Sequence, residues 1–193
     1  MILALWCWLE RVAAAILILA LLPLLIPVAV LIWLRSGRGP LVTHRRCGQF
    51  GTQFGMLKFR TMWGQATPVQ EEPPGGKPQE DPRVVGALAR FLRRYSVDEL
   101  PQLLHVITGR MSLVGPRPLT QFEFETHYGD DAEEVLRMRP GLTGLWQVLG
   151  RSRLTYRQRR RLDLFLVRRD SFRLRWWILM RTVGQVVTGE DAW

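Results

Sequence analysis

The chain is almost without lysine: of its 27 lysines and arginines only Lys58 and Lys77 are lysine. It is also short of acid, with 17 aspartates and glutamates, which leaves a formal charge of +10 and an isoelectric point near 11.0. Such a balance demands an anionic partner: nucleic acid, anionic headgroups or a phosphorylated substrate. Arginine pairs bidentately with phosphate and is less heavily hydrated than an ammonium. A genomic base bias yields the same enrichment, and composition does not separate the two. Cysteine is scarce too, and Cys7 and Cys47 fit neither a disulfide framework nor a metal-ligand spacing, so a reducing compartment is the default. No two of His44, His105 and His127 stand at a ligand spacing, which argues against a histidine metal site. His105, inside an apolar run, reads as a packed and hydrogen-bonded side chain. The 193 residues allow one compact domain with an appendage.

Charge is missing altogether from Val12 to Leu34, 23 positions that reach roughly 34 Å as a helix, enough to cross a bilayer core. The run is too long for a signal peptide, and Arg35-Ser36-Gly37-Arg38 gives no cleavage pattern, so the segment is expected to be retained. Pro23 and Pro27 each remove a backbone donor and bend the helix. A single span and a re-entrant helix that leaves by the face it entered both remain open. Arg11 precedes the segment and Arg35, Arg38, Arg45 and Arg46 follow it, which puts the body in the cytoplasm.

Residues 37–55 read as irregular extended chain or a short hairpin, followed by a strand over Met56–Met62. Lys58 and Arg60 would share one face of that strand, either solvated or turned to an anion. Residues 64–82, rich in proline, glycine and charge, read as a mobile loop. Helical periodicity returns from Val84 to Arg94. Ser96 and Glu99 have capping-box spacing, which leaves Asp98 without a task. A carboxylate at a helix N-terminus is ionised and fixed, and can ligate Mg²⁺ or attack phosphorus. Gly115-Pro116-Arg117-Pro118 holds one arginine rigidly. Thr120–Arg137 looks helical, with Phe122, Phe124, Val135 and Leu136 buried, and Arg139–Val148 reads as a turn into a short strand. Ten arginines lie between Arg151 and Arg175, ahead of Trp176-Trp177, which suits a helix at the membrane interface. Nucleic-acid binding would give a similar basic stripe, but no recognition signature is present. The fold class read from these patterns is α/β, mostly helical with a small sheet or hairpin.

Six ordered blocks, Lys58-Phe59-Arg60-Thr61-Met62, Asp81-Pro82-Arg83, Ser96-Val97-Asp98-Glu99-Leu100-Pro101-Gln102, Met111 to Pro118, Arg139 to Gly144 and Leu162-Asp163, resemble the bacterial sugar transferase family. These are monotopic polyprenyl-phosphate phosphoglycosyl transferases that begin glycan assembly on a lipid carrier. The resemblance covers nearly the whole chain. It implies that Asp98 attacks the sugar-bearing phosphate of a nucleotide sugar, UDP-linked, releasing UMP, and that polyprenyl phosphate then takes the phosphosugar. By the same resemblance Asp98 is the nucleophile and Mg²⁺ neighbour, and Glu99 a supporting carboxylate. Arg93 and Arg117 hold phosphate, and Lys58, Arg60 and Asp163 are further contributors. Pro23 matches the proline of a broken re-entrant helix, giving a membrane element over residues 1–36 and a catalytic body over 37–193 with interfacial amphipathic helices, on the cytoplasmic face of the bacterial inner membrane. Leu22 stands where the family has serine; His44, Arg110, Leu166 and Arg175 also depart from it. With only eleven residues before the apolar run, the chain looks like the family's minimal form. The partners expected are donor, acceptor and membrane lipid, not nucleic acid. The contrasting reading is a membrane-bound basic scaffold without chemistry.

Overall fold

The computed structural model describes residues 2–63, 84 and 86–189; the loop expected over 64–82 and the Asp81-Pro82-Arg83 block lie outside them. Helix α1 (Ile2–Ser36) contains both Pro23 and Pro27, and no residue within it leaves the helical state. Helical backbone continues through Pro23, the position at which the re-entrant bend is expected. Both prolines lie on the exposed side of α1, while the opposite side is clamped along its length by the body. That side carries Glu10, Ala14, Ile18, Leu21, Leu25, Val28 and Ile32, a spacing of three and four that keeps them on one helical stripe. Ala14 packs with Leu103, Val106 and Met111, and Leu25, Val28 and Ile32 pack with Phe59, Leu92 and Val97. Trp8, Ile16, Leu19, Ile26, Trp33 and Leu34 on the other faces are exposed. Within Leu5–Ser36 an 18-residue stretch reaches a mean hydropathy of 3.1, and the helix is long and apolar enough to cross a bilayer.

A buried ionic cluster pins the N-terminal half of α1. Glu10 accepts the Ser112 hydroxyl at 2.7 Å and the Trp6 indole at 2.8 Å, with Arg175 at 3.4 Å. Arg175 in turn grips both oxygens of Asp170, at 2.7 and 2.8 Å. Charges removed from water need such multiple partners.

Strands β1 (Leu41–Cys47) and β2 (Gln53–Phe59) form an antiparallel hairpin; β1 lies within residues 37–55, read as irregular chain or a short hairpin, and the strand expected over Met56–Met62 starts earlier, at Gln53, and ends at Phe59. Helix α2 (Gly86–Arg94) leads into a 3-10 turn, Val97–Gln102, and then α3 (Leu103–Ile107). Strand β3 (Ser112–Val114) pairs in parallel with β4 (Gly141–Thr143). Gly115 and Gly141 permit that approach, because a Cβ on either would collide with backbone of the other segment. Helices α4 (Gln121–His127) and α5 (Asp131–Leu136) lie between these strands in sequence. Of Arg139–Val148, expected as a turn into a short strand, Gly141–Thr143 is strand β4 and the residues from Leu145 on belong to helix α6 (Leu145–Leu149). Gly144 ends the extended backbone, and the next four residues bury all their side chains in helical geometry. Helix α7 (Tyr156–Arg168) starts at a Thr155–Gln158 capping box, and α8 (Phe172–Thr188) starts at Ser171 and ends at Gly189 with φ +63°. Phe122, expected in the core, is 61 % exposed, whereas Phe124 and Val135 are buried. The basic tail thus forms two helices. Helix α8 shows Phe172, Trp176, Trp177, Met180, Val183 and Val187 outward, the apolar face an interfacial helix requires.

The buried cluster and the surface pairs predict different costs. Glu10→Ala strands the Ser112 hydroxyl and one side of Arg175 and should lower stability by about 3 kcal/mol. Glu133→Ala removes a pair whose side chains are 65 % and 85 % exposed and should cost no more than about 0.5 kcal/mol. Chemical unfolding of the detergent-solubilised protein separates the two.

Candidate active site

The acidic pair sits on the 3-10 turn that follows α2. Ser96 enters that turn in left-handed geometry, φ +53° and ψ 24°, and its side chain makes no capping bond. The capping box expected from spacing is thus not formed. With Ser96 turned this way, only its carbonyl accepts the Glu99 N–H, at 3.1 Å. Glu99 is left to reach across to β2, where Lys58 Nζ donates to Oε1 at 2.8 Å, and Arg117 lies 3.5 Å from the same oxygen.

These contacts divide the labour of the two carboxyls. Burial opposes ionisation of Glu99, but Lys58, Arg117 and Arg151 outweigh it and hold the carboxyl down to about 2. Asp98, 3 % exposed, is pushed up to about 6 by burial and then by the Glu99 charge, with Lys58 and Arg93 pulling the other way. One oxygen of Asp98, Oδ1, has no hydrogen-bond partner. Glu99 is a fixed, paired anion, and Asp98 is a carboxylate with a free oxygen.

Each neighbour is delivered by its own element. Lys58 is positioned by β2, whose Leu57 N–H donates to His105 Nε2 at 3.0 Å. That bond requires a neutral imidazole, in keeping with a His105 pKa lowered by burial and then by Arg110. The packed, hydrogen-bonded reading of His105 is borne out. Arg93 closes α2 and lowers the Asp98 pKa. Arg117 follows β3 between two prolines, with its guanidinium carbon 5.9 Å from the centre of the Trp146 ring.

Two expected contributors stand elsewhere. Strand β2 ends at Phe59, so Arg60 does not share a strand face with Lys58; its Nε donates to the Gly39 carbonyl at 2.9 Å. Asp163 has no exposed surface and accepts the Tyr128 hydroxyl at 2.8 Å. Burial raises Asp163 to about 7 against the pull of Tyr128, Trp146, Arg117 and Arg159. Its buried carboxyl attracts Arg117 and Arg159 electrostatically. Arg151 was missed in the sequence. It adopts φ +43° after Gly150 and lowers Glu99, but among ten neighbouring arginines nothing in the local pattern marks it. Of the family departures, Leu166 is buried against Val114, Leu145 and Ile178, and Arg175 belongs to the Glu10 cluster.

Among the described residues no three histidine, cysteine or acidic side chains come together as a metal cage. Mg²⁺ characteristically takes one or two carboxylates and fills its remaining positions with water and substrate phosphate. The unpartnered oxygen of Asp98 beside a phosphate-attracting arginine cluster fits that requirement.

The chain belongs to the bacterial sugar transferase family, whose model matches residues 4–189. It is 40 % identical over 192 residues to the exopolysaccharide production protein ExoY of Sinorhizobium fredii, covering 93 % of this chain and 84 % of that one. It is 37 % identical to the UDP-glucose:undecaprenyl-phosphate glucose-1-phosphate transferase of Caulobacter vibrioides, covering 96 % of this chain and 70 % of that one. The undecaprenyl-phosphate galactose phosphotransferase of Salmonella typhimurium is 36 % identical across 86 % of this chain but only 38 % of its own length.

The buried Asp163 makes stability depend on pH. Its folded pKa of about 7 lies above the unfolded carboxyl value near ~4, so its stabilising contribution is complete below about pH 4 and is lost as pH rises through 7. Asp163→Asn removes that part of the slope, a difference on the order of a few kcal/mol between the two limits. Unfolding midpoints at pH 5 and pH 8 should therefore differ less in the variant than in the parent.

Proposed function

We propose that this chain transfers a sugar 1-phosphate from a UDP-sugar to polyprenyl phosphate, undecaprenyl phosphate in a bacterium, in two steps through Asp98. The observation that carries the reading is the division within the acidic pair: Glu99 is held by Lys58 and Arg117 while Asp98 keeps a free oxygen. A carboxylate so placed is an established type of nucleophile for phosphoryl groups. The names of the Caulobacter and Salmonella relatives refer to the same class of transfer.

In the first step an Asp98 oxygen attacks the sugar-bearing phosphorus, and the bond to the nucleoside phosphate breaks with its electron pair going to departing UMP. Arg93 and Arg117 hold the phosphates during attack, and Lys58 keeps the neighbouring Glu99 from repelling them. In the second step an oxygen of polyprenyl phosphate attacks the acyl phosphate, and Asp98 leaves as a carboxylate. Bound Mg²⁺, held by Asp98, would supply charge neutralisation at the transferring phosphate. Electrostatic stabilisation of this kind is the main contribution a protein makes to phosphoryl transfer.

The packing of α1 supports a membrane disposition with the whole body on one face. Body residues grip α1 from Glu10 to Ile32, so a helix standing across the bilayer would carry the body's own core into the hydrocarbon. We place both ends of α1 and the catalytic body on one face, the cytoplasmic one, with α8 at the interface and Pro23 and Pro27 toward lipid.

Detergent-solubilised protein with Mg²⁺, a panel of UDP-sugars and undecaprenyl phosphate should release UMP. Asp98→Asn should reduce release by at least about 10³-fold. Lys58→Ala should cost about 10²-fold, and Arg60→Ala about threefold or less. No release across the panel by the parent protein supports the basic scaffold instead. For topology, a cysteine introduced at position 1 in a background freed of Cys7 and Cys47 should resist membrane-impermeant reagent in intact cells. Rapid external labelling establishes a full span.

A further inference from the structure

Helix α7 carries its arginines in two different ways. Arg160 pairs with Asp131 at 3.3 Å and Arg168 with Glu134 at 2.7 Å, both binding α7 to α5. Among the described residues the side chain of Arg159, next to Arg160 in the chain, makes no hydrogen bond or ion pair, and its Nε is buried without a partner. Its guanidinium carbon lies 4.8 Å from the centre of the Trp146 ring and 5.0 Å from that of Tyr156. A planar cation spread on aromatic faces is fixed in orientation while its remaining N–H groups stay available for a ligand.

The ring beneath Arg159 is also the ring beneath Arg117, whose guanidinium carbon is 5.9 Å from the Trp146 centre. Arg117 already reaches Glu99 at 3.5 Å. A chain of direct neighbours thus runs from the acidic pair through Arg117 and Trp146 to Arg159. Behind the two arginines stands one carboxyl, Asp163, which both attract electrostatically and which is already engaged by Tyr128. Five cations, Lys58, Arg93, Arg117, Arg151 and Arg159, act on only three carboxyls, Asp98, Glu99 and Asp163, so the site lacks anionic charge. The donor's diphosphate has two charged phosphates, and Arg93 and Arg117, which face the acidic pair, account for the one that meets Asp98.

We propose that Arg159 binds the nucleoside-bearing phosphate of the donor diphosphate, while Arg117 binds the sugar-bearing one. This assignment rests on the two-step transfer proposed above. As the Asp98 oxygen bonds to the sugar-bearing phosphorus, the bridging P–O bond breaks and its electron pair stays with the nucleoside phosphate. The total charge of three minus is kept: the adduct retains one and nucleoside monophosphate leaves with two. Arg159 receives that second charge as it forms. Its role is confined to the first step, because polyprenyl phosphate attacks after the nucleotide has gone.

The test has a binding arm and a kinetic arm. In an Asp98→Asn background, which cannot turn over, UDP and UMP binding are measured by calorimetry with Arg159, Arg159→Gln and Arg159→Lys. Loss of one charge-assisted phosphate contact should weaken UDP and UMP by about 10- to 100-fold in the Gln variant. The Lys variant, which keeps the charge but not the fork, should fall between. With Asp98 intact, Arg159→Gln should raise the donor KM and weaken UMP product inhibition while the acceptor KM stays within about twofold. UDP binding within about twofold of the parent in both variants overturns the assignment, and so does an equal rise in donor and acceptor KM. If the Gln variant does not fold, the Lys variant decides alone: undiminished UDP affinity overturns the proposal and a loss of about fivefold or more supports it. A parent protein that binds UDP but releases no UMP refutes the two-step transfer and leaves the phosphate assignment standing on its binding arm.

Discussion

The contact between Lys58 and Glu99, 2.8 Å long and mostly shielded from water, is the constraint on which the site depends. Two adjacent carboxyls in a buried turn repel each other, and without a cation one of them would take up a proton. Lys58 settles which one stays ionised. By pairing with Glu99 it leaves Asp98 the higher pKa and the unpartnered oxygen. The register of β1 and β2 fixes where Lys58 emerges, and the bond from Leu57 N–H to His105 ties β2 to α3. The hairpin, the 3-10 turn and α3 therefore act together as a holder for one ion pair.

A second constraint links this holder to the membrane element. Glu10 of α1 accepts the hydroxyl of Ser112, the first residue of β3, and Arg175 joins both. The chain leaves β3 directly into Gly115-Pro116-Arg117-Pro118, so the arginine beside Glu99 is carried by the strand to which α1 is bolted. The placement of α1 and the position of Arg117 are thus mechanically coupled. Arg175 has a defined role in that coupling although it departs from the residue the family shows at its position.

Elements whose periodicity is local were legible in the sequence. The apolar α1, the β1–β2 hairpin, α2 and the packed His105 all follow from patterns within a dozen residues. So did the acidic pair, because the motif carries it. What failed was set by tertiary partners. Ser96 and Glu99 had capping-box spacing, but the left-handed Ser96 and the pull of Lys58 from another element decided otherwise. Leu145–Leu149 looked extended because its residues are apolar and bulky, yet it is a helix buried on most sides. Arg60 was grouped with Lys58 by alternation, but the strand ends one residue earlier. The arginine tail could not be sorted by inspection, since pairing with Asp131, Glu134 or Asp170 depends on which faces of α5, α7 and α8 meet.

On the proposed mechanism Asp98 is the residue to which the phosphosugar becomes attached. The most direct test is intact mass spectrometry of the protein rapidly quenched after mixing with UDP-sugar and Mg²⁺ and no acceptor. The account predicts a mass increase equal to one sugar phosphate, located by peptide mapping to Asp98 and discharged when polyprenyl phosphate is added. Turnover with no adduct at any quench time, together with an Asp98→Asn variant that still transfers sugar phosphate, would contradict it.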